Sequence, residues 1–253
     1  MLLPDETRGA IGPYMPYLLD FWSGDRGSVN AGGSWEGMVN GTSATLNGAG
    51  CVVNNAEQLG AVNRGLCNGN AGNQYYAEVA DNDLYSFGDG STDIPFTVVV
   101  WGFCQGFNSA QGLVTKLGST NQFEWALLCI SSGVLQGTFF DLTSGNRISK
   151  RVSGTKYTGT AWYQIALTYN GSKSWTGINL WVDETKATSA TNQSAGSYGG
   201  MNNLNQPVRF GVYEPGVFPA VGWLDNIMVF RGVELPDENI IALYHAQRHL
   251  FGV

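Results

Sequence analysis

Aromatic side chains in polar loops are the residues of this sequence best suited to holding a ligand. Trp175 lies in a Gly/Ser-rich stretch, and Trp181 is expected to point away from the apolar face of its strand. An aromatic ring can pack on the apolar face of a sugar while amides bind the hydroxyls. The alternative is that each ring packs against a loop or a neighbouring subunit. The predicted carbohydrate-binding residues are Trp175, Trp181, Tyr198, Asn202, Asn203 and Tyr213.

Acidic residues crowd the segment 81–93, just before a strongly apolar stretch. Oxygen ligands at such close spacing suit Ca²⁺. The Asp-x-Asp-x-Asp-Gly order of an EF-hand is absent, because Leu84 and Tyr85 occupy its middle. The alternative is that the side chains make turns and cap backbone N–H groups. The candidate calcium ligands are Asp81, Asp83, Asp89 and Asp93.

Motifs for nucleophilic or metal-assisted catalysis are missing. No Gly-x-Ser-x-Gly sequence occurs, and His245 and His249 are the two histidines of the chain. Their spacing could place both rings on one helix face. The glutamate of a metalloprotease motif and a third ligand are lacking, so a solvated helix end is the favoured interpretation. No catalytic residue is predicted.

The four cysteines contain no Cys-x-x-Cys pair, which argues against a zinc site. We expect reduced thiols that pack as small apolar groups. A disulfide between Cys104 and Cys129 is the alternative, on the condition that their strands are neighbours.

The charge pattern excludes several function classes. The net charge is −7, only 13% of residues are charged, and the 13 Lys and Arg residues are scattered, which argues against nucleic-acid binding. No apolar run is long enough to span a membrane. The first residues lack the basic and apolar regions of a signal peptide, so no signal peptide is predicted.

The elements that must position these residues are mostly strands. Apolar and β-branched stretches predict strands at 18–22, 96–103, 113–117, 123–130, 134–140, 162–169, 178–183, 208–212 and 223–230. A helix is predicted over 237–246, after Pro236. Residues 1–17 read as an irregular N-terminal arm, 18–253 as one domain, and 187–206 as a long loop. The predicted fold is all-β: a two-sheet antiparallel jelly-roll sandwich with one short C-terminal helix.

Five segments in order resemble the laminin-G-like and concanavalin-A-like lectin jelly rolls. These are Phe-Thr-Val-Val-Val-Trp at 96–101, Leu-Val-Thr-Lys at 113–116, Trp-Tyr-Gln-Ile-Ala-Leu-Thr-Tyr-Asn-Gly at 162–171, Leu-Trp-Val-Asp at 180–183 and Gly-Trp-Leu-Asp-Asn-Ile-Met-Val-Phe at 222–230. The resemblance covers about residues 74–246. Tyr163 and Gln164 replace the usual histidine pair, and Glu184 replaces a turn glycine.

The resemblance implies binding or structural roles more than catalysis. Hydrolases of this superfamily carry a Glu-x-Asp strand motif, and no glutamate here has an aspartate two residues later. The family includes phage virion proteins, and segment 81–96 resembles parts of them. With no signal peptide, the expected role is a non-enzymatic phage virion surface protein, a capsid decoration, head fibre or tail appendage assembled in the bacterial cytoplasm. The alternatives are a lectin outside a virion and a glycoside hydrolase with a non-standard site.

The expected partners follow from that interpretation. The arm 1–17 is expected to become ordered on other virion proteins, and the chain is expected to form a homo-oligomer. A glycan is the expected ligand, and Ca²⁺ is the candidate cofactor. Nucleic acid and membrane insertion are not expected.

Overall fold

The computed structural model describes residues 3–26, 29–54, 65–67, 75–104, 110–119, 121–130, 133–141, 143–154, 161–214 and 217–253. Within these ranges every strand pairing is antiparallel. The strands form two large sheets packed face to face and one small hairpin.

The eight-stranded sheet contains the most apolar strands of the sequence. Its order is β14 (Thr185–Lys186), β13 (Ile178–Val182), β12 (Tyr163–Tyr169), β7 (Phe96–Cys104), β19 (Gly222–Arg231), β5 (Gly65–Cys67) and β4 (Val53–Asn54), and β1 (Leu18–Trp22) also pairs with β19. Strands β7 and β19 are buried on both faces, which explains their continuous apolar character.

The nine-stranded sheet forms the other layer. Its order is β15 (Ala190–Asn192), β11 (Thr143–Val152), β10 (Val134–Asp141), β9 (Phe123–Ile130), β8 (Gln111–Leu117), β16 (Val208–Phe210), β6 (Tyr76–Val79), β3 (Ser43–Asn47) and β2 (Ser34–Glu36). The hairpin of β17 (Val212–Glu214) and β18 (Val217–Pro219) lies against β8.

Two helices add a third layer outside the eight-stranded sheet. Helix α1 (Asp5–Ile11) and helix α2 (Asp237–Phe251) pack on each other. Ile11 and Leu243 join side chains from β7, β12, β13 and β19 in one apolar cluster. Within the described ranges, 3₁₀ turns also occur at Gly12–Tyr17, Gly24–Arg26, Asp83–Tyr85 and Trp175–Gly177.

The main core lies between the sheets and is rich in aromatic rings. Phe96 stacks on Phe87 at 4.0 Å between ring centroids and contacts Trp125 at 5.7 Å. Burying such large apolar side chains is the main stabilising term of a sandwich. The predicted strands, the C-terminal helix and the jelly-roll class are confirmed, although α2 extends to Phe251. Strand β11 was not predicted, and the predicted loop 187–206 contains the short strand β15.

The expectation that residues 1–17 form an irregular arm is wrong. They contain α1 and a 3₁₀ turn, and Ile11 is fully buried. Asn239 Nδ2 donates to the Ala10 carbonyl at 2.8 Å, and Gln247 Nε2 donates to Thr7 Oγ1 at 3.2 Å. The segment is therefore ordered by the chain's own C-terminal helix. The division into an arm and one domain stays a prediction.

The structure does not meet the condition set for a disulfide between Cys104 and Cys129, which was that their strands are neighbours. Cys104 lies in β7 of the eight-stranded sheet and Cys129 in β9 of the nine-stranded sheet, so their strands are not neighbours. The Cys104 side chain lies outside the described residues. No helix in the described ranges is both long and apolar enough to cross a membrane.

Candidate functional site

Three loop segments meet at one end of the sandwich. They are residues 81–95, 170–177 and 193–206, and we call this surface the loop end. Gly90 N donates to the Met201 carbonyl at 2.6 Å, and Lys173 Nζ donates to the Ser91 carbonyl at 2.9 Å. Three segments distant in sequence thus form one continuous surface.

Asp93 is the centre of the loop end. Its carboxylate, 6% exposed, accepts hydrogen bonds from the hydroxyls of Tyr169 at 2.6 Å and Tyr198 at 2.8 Å. It also accepts the backbone N–H of Met201 at 2.8 Å. Burial is the main cause that raises the pKa of both tyrosines, and the Asp93 charge adds to it, so both phenols remain donors.

The loop 193–206 is held from a second side by Asp141, at the end of β10. One Asp141 oxygen accepts the N–H of Gly199 at 2.8 Å, and the other accepts Asn202 Nδ2 at 3.3 Å. The Asn202 amide is therefore used for loop structure. Such side-chain to backbone bonds fix loop geometry before any ligand arrives.

A buried ion cluster lies beneath the same loops. The fully buried Lys116 places Nζ 2.6 Å from Asp81 Oδ1 and 3.0 Å from Glu124 Oε1. It also donates to the Leu204 carbonyl at 3.2 Å, while Leu204 N donates to Glu124 at 3.0 Å. Burial raises the pKa of Glu124 to about 7, and Lys116 opposes the rise. The cluster ties segments 81–95 and 193–206 together.

A polar cleft of about 480 Å³ opens between these segments. Asn203 Nδ2 donates to Asp83 Oδ1 at 3.0 Å across it. The charged and polar side chains suit hydroxyl groups, which both donate and accept hydrogen bonds. The cleft is lined by Asp83, Ser86, Gly88, Asp89, Thr92, Ile94, Asn203 and Arg231.

Two charged side chains of the cleft, Asp89 and Arg231, are held in place by hydrogen bonds to the backbone. Asp89 Oδ1 accepts the N–H groups of Ser91 at 2.9 Å and Thr92 at 2.7 Å. The backbone bonds from Thr92 and Ser91 and the Ser91 hydroxyl lower the pKa of Asp89, which keeps it ionised. Arg231 donates through Nη1 to the carbonyls of Asp83 at 3.2 Å and Leu84 at 3.0 Å, and to that of Ser86.

The loop end collects most of the predicted carbohydrate-binding residues. Tyr198, Asn202 and Asn203 lie there, and Trp175 occupies the 3₁₀ turn of segment 170–177. The Trp175 ring is half-buried, with Lys150 Nζ 5.9 Å from its centroid. Asn203 is the one predicted residue that lines the cleft in the described structure. Carbohydrate binding by this group stays a prediction.

Two predicted residues lie elsewhere. Trp181 was expected to be exposed, which is wrong: it is 2% exposed because helix α2 covers its strand face. Lys186 Nζ lies 5.4 Å from its ring centroid. Tyr213 lies on the outer face of the nine-stranded sheet and packs near Phe123 at 6.4 Å, and burial raises its pKa to about 12.

The four predicted calcium ligands do not form one site. Asp81 pairs with Lys116, Asp93 holds two tyrosines, Asp89 closes a turn and Asp83 contacts Asn203. Within the described ranges, no group of three or more His, Cys, Asp or Glu side chains could hold a metal ion. The expectation of a calcium cluster is therefore corrected: the carboxylates order backbone and neighbouring side chains.

Sequence reasoning missed Arg231 as a residue of the cleft and Tyr17 as an exposed aromatic side chain. Arg231 directly follows the apolar run of β19, and a charged residue at that position is a usable signal for the rim of a sandwich. Tyr17 is 44% exposed, and its ring carbons lie 3.5 and 3.7 Å from the position of a Cβ on Gly232. The exposure of Tyr17 could not be predicted, because a segment expected to be irregular has no regular alternation of buried and exposed side chains.

A second cleft, of about 290 Å³, lies at the sandwich edge near β13 and β14. Leu135, Val152 and Leu180 give it a mostly aliphatic wall. Burial raises the pKa of Asp183, at its rim, to about 6. Because these three side chains belong to the core between the sheets, this cleft suits the recognition of hydroxyl groups less well than the loop end does.

Comparison with known proteins supplies a fold and no family. No protein-family model matches the sequence, and no curated protein matches it significantly. A solved structure of the botulinum neurotoxin serotype G binding domain is similar at TM-score 0.61 and 16% identity, over 87% of this chain and 50% of that chain. This chain therefore spans about half the length of such toxin domains.

Two further similar structures belong to proteins described with carbohydrate-containing ligands. One, on cell entry of botulinum neurotoxin type C and its interaction with two ganglioside molecules, is similar at TM-score 0.60 and 11% identity, over 93% of this chain and 52% of that chain. The other is domain 4 of AbnA, a GH43 extracellular arabinanase from Geobacillus stearothermophilus, in complex with arabinotriose. It is similar at TM-score 0.55 and 13% identity, over 90% of this chain and 98% of that chain. At these identities the likeness establishes a shared jelly-roll fold.

Proposed function

We propose that this chain is a non-enzymatic carbohydrate-binding jelly roll whose glycan site is the loop-end cleft. The observation that carries the proposal is the cleft itself: carboxylate, amide, hydroxyl and guanidinium groups line one polar space between loops that are already ordered. Ordered loops lose little conformational entropy when a ligand binds, which favours affinity.

The similar structures support a binding role. The arabinotriose complex of the arabinanase domain matches this chain over nearly the whole of both chains. Cell entry of the type C toxin depends on its interaction with two ganglioside molecules, although this chain spans about half of that toxin chain. Because fold does not dictate function, the cleft chemistry carries more weight than this likeness.

The carboxylates of the loop end support binding over hydrolysis. Glu124 has the pKa of about 7 that a general acid needs. It is fully buried, however, and its Oε1 is bound to Lys116 and Leu204 N. A glycosidic oxygen cannot reach such a group without unpacking the loops.

A pair of asparagines in one loop tests the location. Asn203 lines the cleft, whereas Asn205 is an exposed residue of the same loop outside its lining. The wild-type chain is screened on an array of neutral and acidic glycans, and the best ligand is measured by calorimetry. We expect Asn203→Ala to weaken binding about tenfold and Asn205→Ala to leave it unchanged. Equal effects of both substitutions would place the glycan elsewhere, and no binding on the array would refute the function.

The setting we propose is the surface of a phage virion, as a homo-oligomeric capsid decoration, head fibre or tail appendage. It is supported by the resemblance of segment 81–96 to virion proteins and by a surface poor in charge. Attachment through residues 1–17 would require them to leave α2. Immunogold labelling and mass spectrometry of purified particles test this proposal, and absence of the chain from particles would favour a lectin outside a virion.

A further inference from the structure

Arg231 is fixed in the cleft by backbone carbonyls, and the negative charge of Asp83 acts on its guanidinium without an ion-pair contact. Its Nη1 group donates hydrogen bonds to backbone carbonyls of residues 83–86. In the described structure, Arg231 makes no ion pair with a carboxylate, and its Nε and Nη2 groups make no hydrogen bond. A guanidinium has five N–H donors in a rigid fork, so those on Nε and Nη2 remain for a ligand.

Asp89 is the complementary group. Within the described residues, the Asp89 carboxylate accepts hydrogen bonds on Oδ1 only, from the Ser91 N–H at 2.9 Å, the Ser91 hydroxyl at 2.8 Å and the Thr92 N–H at 2.7 Å. Its second oxygen, Oδ2, accepts no hydrogen bond from these residues. These three hydrogen bonds restrict rotation of the Asp89 side chain.

These two opposite charges line one cleft and do not pair with each other. Each is anchored by its own backbone contacts, so the space between them stays open. A sugar in the cleft can therefore donate one hydroxyl to Asp89 Oδ2 while another of its hydroxyls accepts from Arg231.

The balance of charge selects among sugars. Asp83 and Asp89 outweigh Arg231 in the cleft, and the whole chain carries a net charge of −7. A carboxylated sugar would meet like charge, which costs binding free energy in a partly desolvated cleft.

Resting on the proposed function, we propose that the loop-end cleft is selective for uncharged sugars and recognises two sugar hydroxyls through Arg231 and Asp89.

The experiment compares neutral oligosaccharides with their uronic-acid counterparts, such as galactotriose and trigalacturonate, by calorimetry at fixed salt. The wild-type chain is expected to bind the best neutral glycan at least about tenfold more tightly than its acidic counterpart. Asp89→Asn keeps an oxygen for Ser91 and Thr92 but replaces Oδ2 by an amide NH₂ group, which donates hydrogen bonds and cannot accept them. It should weaken neutral binding about tenfold and reduce the preference for neutral sugars.

Matched variants separate recognition from general effects. Glu238→Gln removes one negative charge at an exposed helix position and should change neither affinity nor preference. Arg231→Lys keeps the charge without the fork and should bind weakly, with its fold checked by circular dichroism.

The outcomes distinguish the two proposals. No binding to any glycan refutes the proposed function. Binding that prefers acidic sugars, or that Asp89→Asn leaves unchanged in strength and preference, overturns the selectivity inference and leaves the function standing.

Discussion

Replacing Asp93 with asparagine is expected to destabilise the loop end more than any single change at the surface. The carboxylate accepts two phenol hydroxyls on Oδ2 and one backbone N–H on Oδ1, and it is buried. An asparagine has one acceptor oxygen. Whichever way the amide turns, either the tyrosines or the Met201 N–H loses its acceptor.

The magnitude follows from this geometry. A buried donor left without a partner costs about 1–3 kcal/mol, and loss of the charge weakens the bonds that survive. We therefore expect Asp93→Asn to lower the unfolding free energy by roughly 3 kcal/mol, or Tm by roughly 6–12 °C for a chain of this size. Urea unfolding followed by tryptophan fluorescence measures the first quantity and calorimetry the second.

Controls decide whether hydrogen bonding is the cause. Tyr198→Phe and Tyr169→Phe each remove one phenol and should cost about 1 kcal/mol. Asp237→Asn breaks an exposed pair with Lys186 and should cost less than about 1 kcal/mol. An unchanged urea midpoint in Asp93→Asn would refute the reasoning. A loss of wild-type stability on adding EDTA that is absent in Asp93→Asn would instead make Asp93 a metal ligand.

Three further outcomes are expected. Deleting residues 1–17 should destabilise the fold by roughly 3–6 kcal/mol, because it exposes the cluster around Ile11, while Ile11→Val should cost about 1 kcal/mol; denaturant unfolding of both variants checks this. The raised pKa of Glu124 means that the folded chain binds its proton more tightly than the unfolded chain, so the free energy of unfolding should fall between about pH 4.5 and pH 7. Urea unfolding across that range should show a slope of at most about 1.4 kcal/mol per pH unit, which Glu124→Gln removes. Trp181→Phe should leave glycan affinity unchanged in calorimetry, because the ring lies beneath α2.

The strands were predictable because their signal is local. Segment 123–130 was predicted with the bounds that the structure has, and α2 begins at Asp237 as Pro236 indicates. Strand β11 was missed because its Thr, Ser, Gly, Asn, Lys and Arg residues show little apolar alternation. Its strand conformation depends on pairing with β10 and β15, which residues nearby in sequence do not reveal.

The candidate site was predictable only as a set of residue types. Tyr198, Asn202 and Asn203 suggested polar binding, and the structure places all three at the loop end, where binding stays a prediction. Arg231 was missed because it reaches the loop end through contacts with residues far along the chain. Arg231 holds carbonyls of Asp83 and Leu84 that no sequence pattern links to it.

Composition, alternation and motif order by themselves determined an antiparallel jelly roll with a C-terminal helix, since strand and helix periods depend on neighbouring residues. Tertiary structure alone decided which aromatic and acidic side chains face solvent. Trp181 is buried because α2 lies over its strand, and the aspartates of 81–93 are separated because Lys116, two tyrosines and backbone N–H groups each claim one. Lys116, Tyr169 and Tyr198 come from segments distant from these aspartates, and only the folded chain brings them together.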